Sequence, residues 1–240
     1  MLAAEQVIPP TLRDALRGVA GWFLIGGHAV RCFRPYRPSR DVDIGVRSAK
    51  DAARILGVLR RRAKVSVVER AKDTIHLQVG DVDVSIFVLP RVGRFVEAQR
   101  LSVTGILATK LHALLDRGTR RDFVDLYVIL HEQRLSITDC FAAMREVYGP
   151  EVNEGLLLRA LAFFDDAERE PKLPGEGARD WALVKRFFQE QVGRLLIPPQ
   201  RELSVATRRV EVGPAREEPA RPRREPAKAQ PASKRRLRRP

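Results

Sequence analysis

The segment Asp41-Val42-Asp43-Ile44-Gly45-Val46 alternates strictly between acidic or small residues and branched apolar ones. Period two marks a strand with one buried face, because a slip of one residue would turn every apolar side chain into water. Such a strand needs a sheet around it and a layer on top. Trp22-Phe23-Leu24-Ile25 is an apolar run that stops at Gly26-Gly27, and His28 to Phe33 begins a helix, so this unit reads strand, glycine turn, helix. Arg34 to Arg40 contains Pro35 and Pro38 and is expected to be a loop. Ser48 with Asp51 forms a capping box ahead of Ala52, Ile55, Leu56 and Leu59, which share one helical face. Lys64 to Glu69, Thr74 to Val79 and Val82 to Val88 are further strands, which makes a mixed sheet of about five strands in the first 90 residues.

Before the sheet, Thr11 with Asp14 opens a short helix over 11–20. From residue 102 the pattern is helical only, with helices expected over 102–116, 120–132, 137–147, 151–168 and 177–195. The expected fold is therefore α+β: a catalytic half over 1–100, a helical half over 101–196, and a tail over 197–240.

The tail carries much of the charge. Residues 201–240 hold 13 basic and 5 acidic side chains, a net +8 of the chain's +14, together with six prolines and no aromatic residue. A segment like this buries too little apolar surface to offset its ordering entropy, so it is expected to be disordered. Its end, Lys234-Arg235-Arg236-Leu237-Arg238-Arg239, suits either a polyanion such as nucleic acid or a simple solubilising role. No apolar run approaches the roughly 18 residues that cross a bilayer, and the N-terminus lacks a signal-peptide pattern. A cytoplasmic protein that does not engage a membrane is expected. Cys32 and Cys140 form neither a metal pair nor a disulfide framework. His28, His76, His112 and His131 share no zinc spacing, and Tyr127, Phe163-Phe164 and Phe187-Phe188 read as core.

Residues two apart on a strand project from one face, so Asp41 and Asp43 set two carboxylates side by side. That arrangement is costly unless a cation lies between them, and oxygen donors completed by phosphates suit Mg²⁺. Gly26-Gly27 complements it, since backbone without a Cβ lets N–H groups approach phosphate oxygens where a helix begins. Asp83 shares the parity of Asp81 on a later strand but lies farther from the turn, and is the preferred third carboxylate.

Gly-Gly, 13 residues, then Asp-x-Asp resembles the signature of polymerase-β-like nucleotidyltransferases. The segments Gly26-Gly27-His28-Ala29 and Arg37-Pro38-Ser39-Arg40-Asp41-Val42-Asp43-Ile44 narrow the resemblance to the AbiEii/AbiGii toxin family. Lys110 to Arg117, followed by Arg121-Asp122-Phe123-Val124-Asp125-Leu126-Tyr127, is similar to that family's helical motif. The blocks span roughly residues 21–130, and the helical region beyond has no matching motif.

The resemblance implies a polymerase-β-like sheet and transfer of a nucleotide from a nucleoside triphosphate to an acceptor, often in toxin–antitoxin or phage-defence settings. Two Mg²⁺ ions, or Mn²⁺, would be held by Asp41, Asp43 and Asp83. Lys110 is expected on the triphosphate rather than on a solvated helix face, with Asp122 and Asp125 orienting it, Arg117 or the acceptor. Thr119 with Asp122 also reads as a capping box, which leaves Asp125 the better functional candidate. Arg37 and Ser39 are expected to meet the phosphates, against the plainer readings of an exposed loop arginine and a turn serine.

The basic balance favours an RNA acceptor such as a tRNA end, and a toxin would have a cognate antitoxin as partner. Two other classes compete. An aminoglycoside-type nucleotidyltransferase would need an acidic cleft for a polycationic acceptor. An inactive nucleic-acid-binding protein would use the tail and tolerate loss of Asp43.

Overall fold

The computed structural model describes residues 1–39 and 41–196; Arg40 and the expected disordered tail lie outside the described residues. The described residues belong to one compact unit. Two short helices, α1 (Ala4–Val7) and α2 (Pro10–Leu16), precede the first strand, β1 (Trp22–Leu24). The start of α2 corrects the expected Thr11 cap: Pro10 occupies the first helical position, where its missing N–H and fixed φ cost nothing, and no side chain caps the end. Then come α3 (Gly26–Arg31), β2 (Val42–Val46), α4 (Ala49–Arg62), β3 (Val65–Arg70), β4 (Thr74–Val79) and β5 (Val82–Val88).

The first 90 residues hold five strands, as expected, and among the described residues β6 (Val96–Glu97) and β7 (Arg100–Leu101) extend the sheet beyond β1 to seven. The order is β3-β4-β5-β2-β1-β7-β6, with β2 parallel to β5, β1 parallel to β7, and the remaining neighbours antiparallel. Two-residue strands are too short to carry an alternation, which is why the pattern was blind to them. Val42, Ile44 and Val46 are fully buried, and α4 packs on β2 and β5 through Ala52, Ile55, Leu56 and Leu59. Burying a Leu or Ile there stabilises by roughly 1.5–3 kcal/mol. The Ser48 hydroxyl accepts from the Asp51 amide at 3.1 Å and starts α4 as expected.

The helical half consists of α5 (Val103–Asp116), α6 (Arg120–Gln133), α7 (Ile137–Tyr148), α8 (Glu154–Ala162), α9 (Asp165–Arg169) and α10 (Asp180–Leu196). The single helix expected over 151–168 breaks at Phe163, whose backbone is extended. The break turns Phe164 into the core beside Phe123, ring centroids 5.0 Å apart, and leaves Phe163 48% exposed, so only one of that pair is a core residue. Phe188 is fully buried, while Phe187 and Tyr127 are half-buried. Helices α5 and α6 pack against α3 and carry the second set of motif residues to the glycine turn.

Candidate active site

The glycine turn is built around its neighbours. Gly26 has φ +60°, a conformation that disfavours a Cβ, and a Cβ there would stand 2.5 Å from the Asp43 Oδ2. At Gly27 the same substitution would meet the Arg37 Nη2 at 2.7 Å and the Ser39 Oγ at 3.6 Å. Gly26 therefore meets Asp43, and Gly27 meets Arg37 and Ser39, at successive positions of one turn. The first amides of α3 have no acceptor within the helix. Strand β1 delivers the turn and β2 delivers the carboxylate: Leu24 pairs with Ile44, and the Ile25 amide donates to the Asp43 carbonyl at 3.2 Å.

Asp41 is exposed one residue ahead of β2, and its carbonyl accepts from the Ser39 hydroxyl at 3.4 Å. Asp43 is half-buried. Burial pushes its carboxyl up to about 6, helped by the Asp41 charge and opposed by Lys110, Arg117 and Arg121. On β5, Val84 pairs with Val42 and Ser85 with Asp43, so the exposed Asp83 stands one register step farther out, alongside Asp41. Among the described residues no three His, Cys, Asp or Glu side chains converge as a metal-binding group. Asp41, just ahead of β2, and Asp43 within it fit a cation as a pair: oxygen donors only, with the Asp43 carboxyl held above its ordinary range mainly by burial and further by the Asp41 charge.

Behind this pair lies a buried ionic network. Lys110 on α5 is 7% exposed, which sets aside a solvated helix face, and its ammonium lies 3.2 Å from Asp122 and 2.5 Å from Asp125. Both carboxylates are fully buried. Burial alone would lower the Lys110 pKa, but Asp125 and Asp122 outweigh it and hold the ammonium above its ordinary value. Thr119 caps α6, its hydroxyl accepting from the Asp122 amide and donating to the Asp122 carboxylate, which also accepts from Arg117 at 2.7 and 3.0 Å, so a place in the cap and an ionic role coexist at Asp122. Burial raises its pKa, yet Arg117, Lys110 and Thr119 together bring it down to about 2.

Arg37 is no exposed loop arginine: its guanidinium is 8% exposed and donates to Asp125 at 2.9–3.1 Å through Nε and Nη2. Tyr36 donates its hydroxyl to the same carboxylate. Burial and Asp125 raise the phenol well above its ordinary range. Tyr36 escaped the sequence reading, although an aromatic residue between two prolines in a polar loop is a signal that something anchors it. His28 is buried, and burial, Arg31 and Arg37 lower it to about 4. Cys32 and Cys140 are buried free thiols.

The solved structure of the antibiotic-resistance factor ANT(2'')-Ia is similar to this chain with a TM-score of 0.44 at 10% identity, covering 58% of this chain and 88% of that one. JHP933 from Helicobacter pylori is similar with a TM-score of 0.47 at 14% identity, covering 78% and 90%. No curated protein matches the chain in sequence. The family model described as nucleotidyl transferase AbiEii toxin, type IV toxin–antitoxin system, matches residues 82–202, a span that includes Asp83, Lys110, Asp122 and Asp125. With half of its length matched by that model, the chain belongs to the AbiEii nucleotidyltransferase toxin family.

Proposed function

We propose that this nucleotidyltransferase moves a nucleoside monophosphate from a nucleoside triphosphate to a hydroxyl of an RNA acceptor, with Mg²⁺ at Asp41 and Asp43. The observation that carries the reading is the meeting of Gly26 with Asp43 and of Gly27 with Arg37 and Ser39, which leaves no room for a side chain at either glycine and sets a carboxylate, a guanidinium and a hydroxyl against one turn. When bound, the metal would supply Lewis-acid stabilisation of the phosphate charge.

The chain's own groups do the rest. The amides of Gly26 and Gly27 bind phosphate oxygens, and the Ser39 hydroxyl donates a further hydrogen bond. Arg37, held by Asp125, faces the same turn and neutralises charge there. Lys110 is tied to two carboxylates, so it acts as a fixed charge behind the site that Asp43 feels, rather than as a free phosphate ligand. Asp122 and Asp125 are positioning residues for Lys110, Arg117 and Arg37. The acceptor oxygen bonds to the α-phosphorus, the bond from that phosphorus to the bridging oxygen breaks, and pyrophosphate leaves. Asp83, exposed beside Asp41 on the neighbouring strand, takes the acceptor's proton.

The net charge of +14 favours a polyanionic acceptor over a polycationic aminoglycoside. We infer two functional halves, 1–100 and 101–196, that meet at this site, and a cognate antitoxin as partner. The test is incubation of purified protein with Mg²⁺, each labelled triphosphate and total RNA. Label enters RNA with wild type and falls by at least about a hundredfold with Asp41→Asn or Asp43→Asn. Normal transfer by either variant would overturn the scheme. Asp83→Asn should retain triphosphate affinity while losing turnover.

A further inference from the structure

Helix α6 has a second working face. Asp122 and Asp125 look toward Lys110 and Arg37, while Val124, Tyr127, Val128 and His131 line a cavity of about 310 Å³ on the other side of Arg37. That volume lies at the lower end of the roughly 300–1,000 Å³ of small-ligand pockets. Leu183 and Val184 of α10 also line it, as do Tyr36 and Arg37. The Tyr127 ring is braced edge-on by Phe187, centroids 5.2 Å apart, and leans on His131 at 5.7 Å. The Arg34–Glu132 ion pair, 3.0 Å, borders the cavity.

One guanidinium belongs to both places. Arg37 packs against Gly27 in the phosphate turn and also lines the cavity, so the two sites share a wall one side chain thick. A ligand with its phosphates at Gly26-Gly27 and a flat apolar end would reach past Arg37 into the cavity. The walls are mostly aliphatic and aromatic, which suits the faces of a heterocycle and not a phosphate. The geometry points to this cavity as the nucleobase subsite of the triphosphate, with Tyr127 as the stacking surface and Val128 and Leu183 setting its width. This rests on the nucleotidyl-transfer reading of the neighbouring turn.

The experiment compares binding of each of the four nucleoside triphosphates with binding of inorganic tripolyphosphate, both with Mg²⁺, by calorimetry on the full chain. Val128→Trp fills the cavity and Tyr127→Ala removes the stacking face. Each should weaken the best-bound triphosphate by at least about tenfold, leave tripolyphosphate affinity within about twofold, and flatten the preference among the four bases. Leu183→Trp, at an exposed position, gives the same comparison if Val128→Trp fails to fold. Triphosphate and tripolyphosphate weakening together, or neither changing, would overturn the subsite. Wild type binding neither ligand would instead overturn the phosphate site itself, and the subsite with it.

Discussion

Gly26 shows how much one hydrogen atom in place of a methyl group can decide. Its φ of +60° costs an alanine about 1–2 kcal/mol, and the added Cβ would sit 2.5 Å from the Asp43 Oδ2. Gly26→Ala is therefore expected to lower thermal stability by about that amount and to cut label transfer by at least about tenfold, since Asp43 must shift. Gly27→Ala should be milder in stability, because its neighbour is the tip of an arginine. Asp122 makes a pH prediction. Its folded pKa of about 2 is below the ordinary 3.8, so the stability it contributes is present above about pH 4 and lost as pH falls from there toward 2. Urea unfolding between pH 5 and 3 should show wild type losing about 1 kcal/mol more than Asp122→Asn. The pairing itself was legible only in part. Asp122 and Asp125, three apart on a helix, could be read as neighbours, and Lys110 within an apolar helix as a cation needing partners. That Arg37 and Tyr36 would both close on Asp125 was not legible, because a contact across 88 or 89 residues leaves no local periodicity.

At the scale of elements, the strands with clean alternation and the capped helices were readable, and the exceptions have physical causes. Helices α8 and α9 form an unbroken apolar-periodic run with no glycine or proline at the joint, so the break at Phe163 is imposed by packing. Phe123 on α6 is the centre of that packing, with Phe164, Phe188 and Trp181 rings at 5.0, 5.5 and 5.9 Å. Phe123→Ala should cost about 3–5 kcal/mol, read as a fall in the urea midpoint. A loss below about 1 kcal/mol would mean that α6, α9 and α10 do not share this core. The loop before α10 is held to α6 by Arg120, which is 8% exposed, forms a 2.5 Å ion pair with Glu176 and lies 4.6 Å from the Trp181 ring.

For the whole molecule, charge is the organising quantity. The first 200 residues carry +6, and the stretch 47–73, covering α4, β3 and the turn after it, holds nine basic and three acidic residues and so equals that excess. The tail adds +8. Removing residues 201–240 should weaken RNA binding and flatten its dependence on log salt by up to about 0.9 unit per lost phosphate contact, while label transfer at low salt persists. Filter binding across a salt series checks this, and an unchanged slope would assign the tail to solubility alone. The passage from strands to helices near residue 100 could be inferred from the change of period, whereas the two-residue strands β6 and β7 could not.

The two faces of α6 have a consequence for how such a chain can diverge. Each residue advances the helix by about 100°, as follows from 3.6 residues per turn, so inserting or deleting one residue inside α6 would swing Asp125 away from Arg37 and Tyr127 out of the cavity together. Substitutions in this helix can be absorbed one at a time, but changes of length cannot. Relatives are expected to differ in length in the joints before Arg120 and after Gln133 and to keep the count between Asp122 and His131 constant.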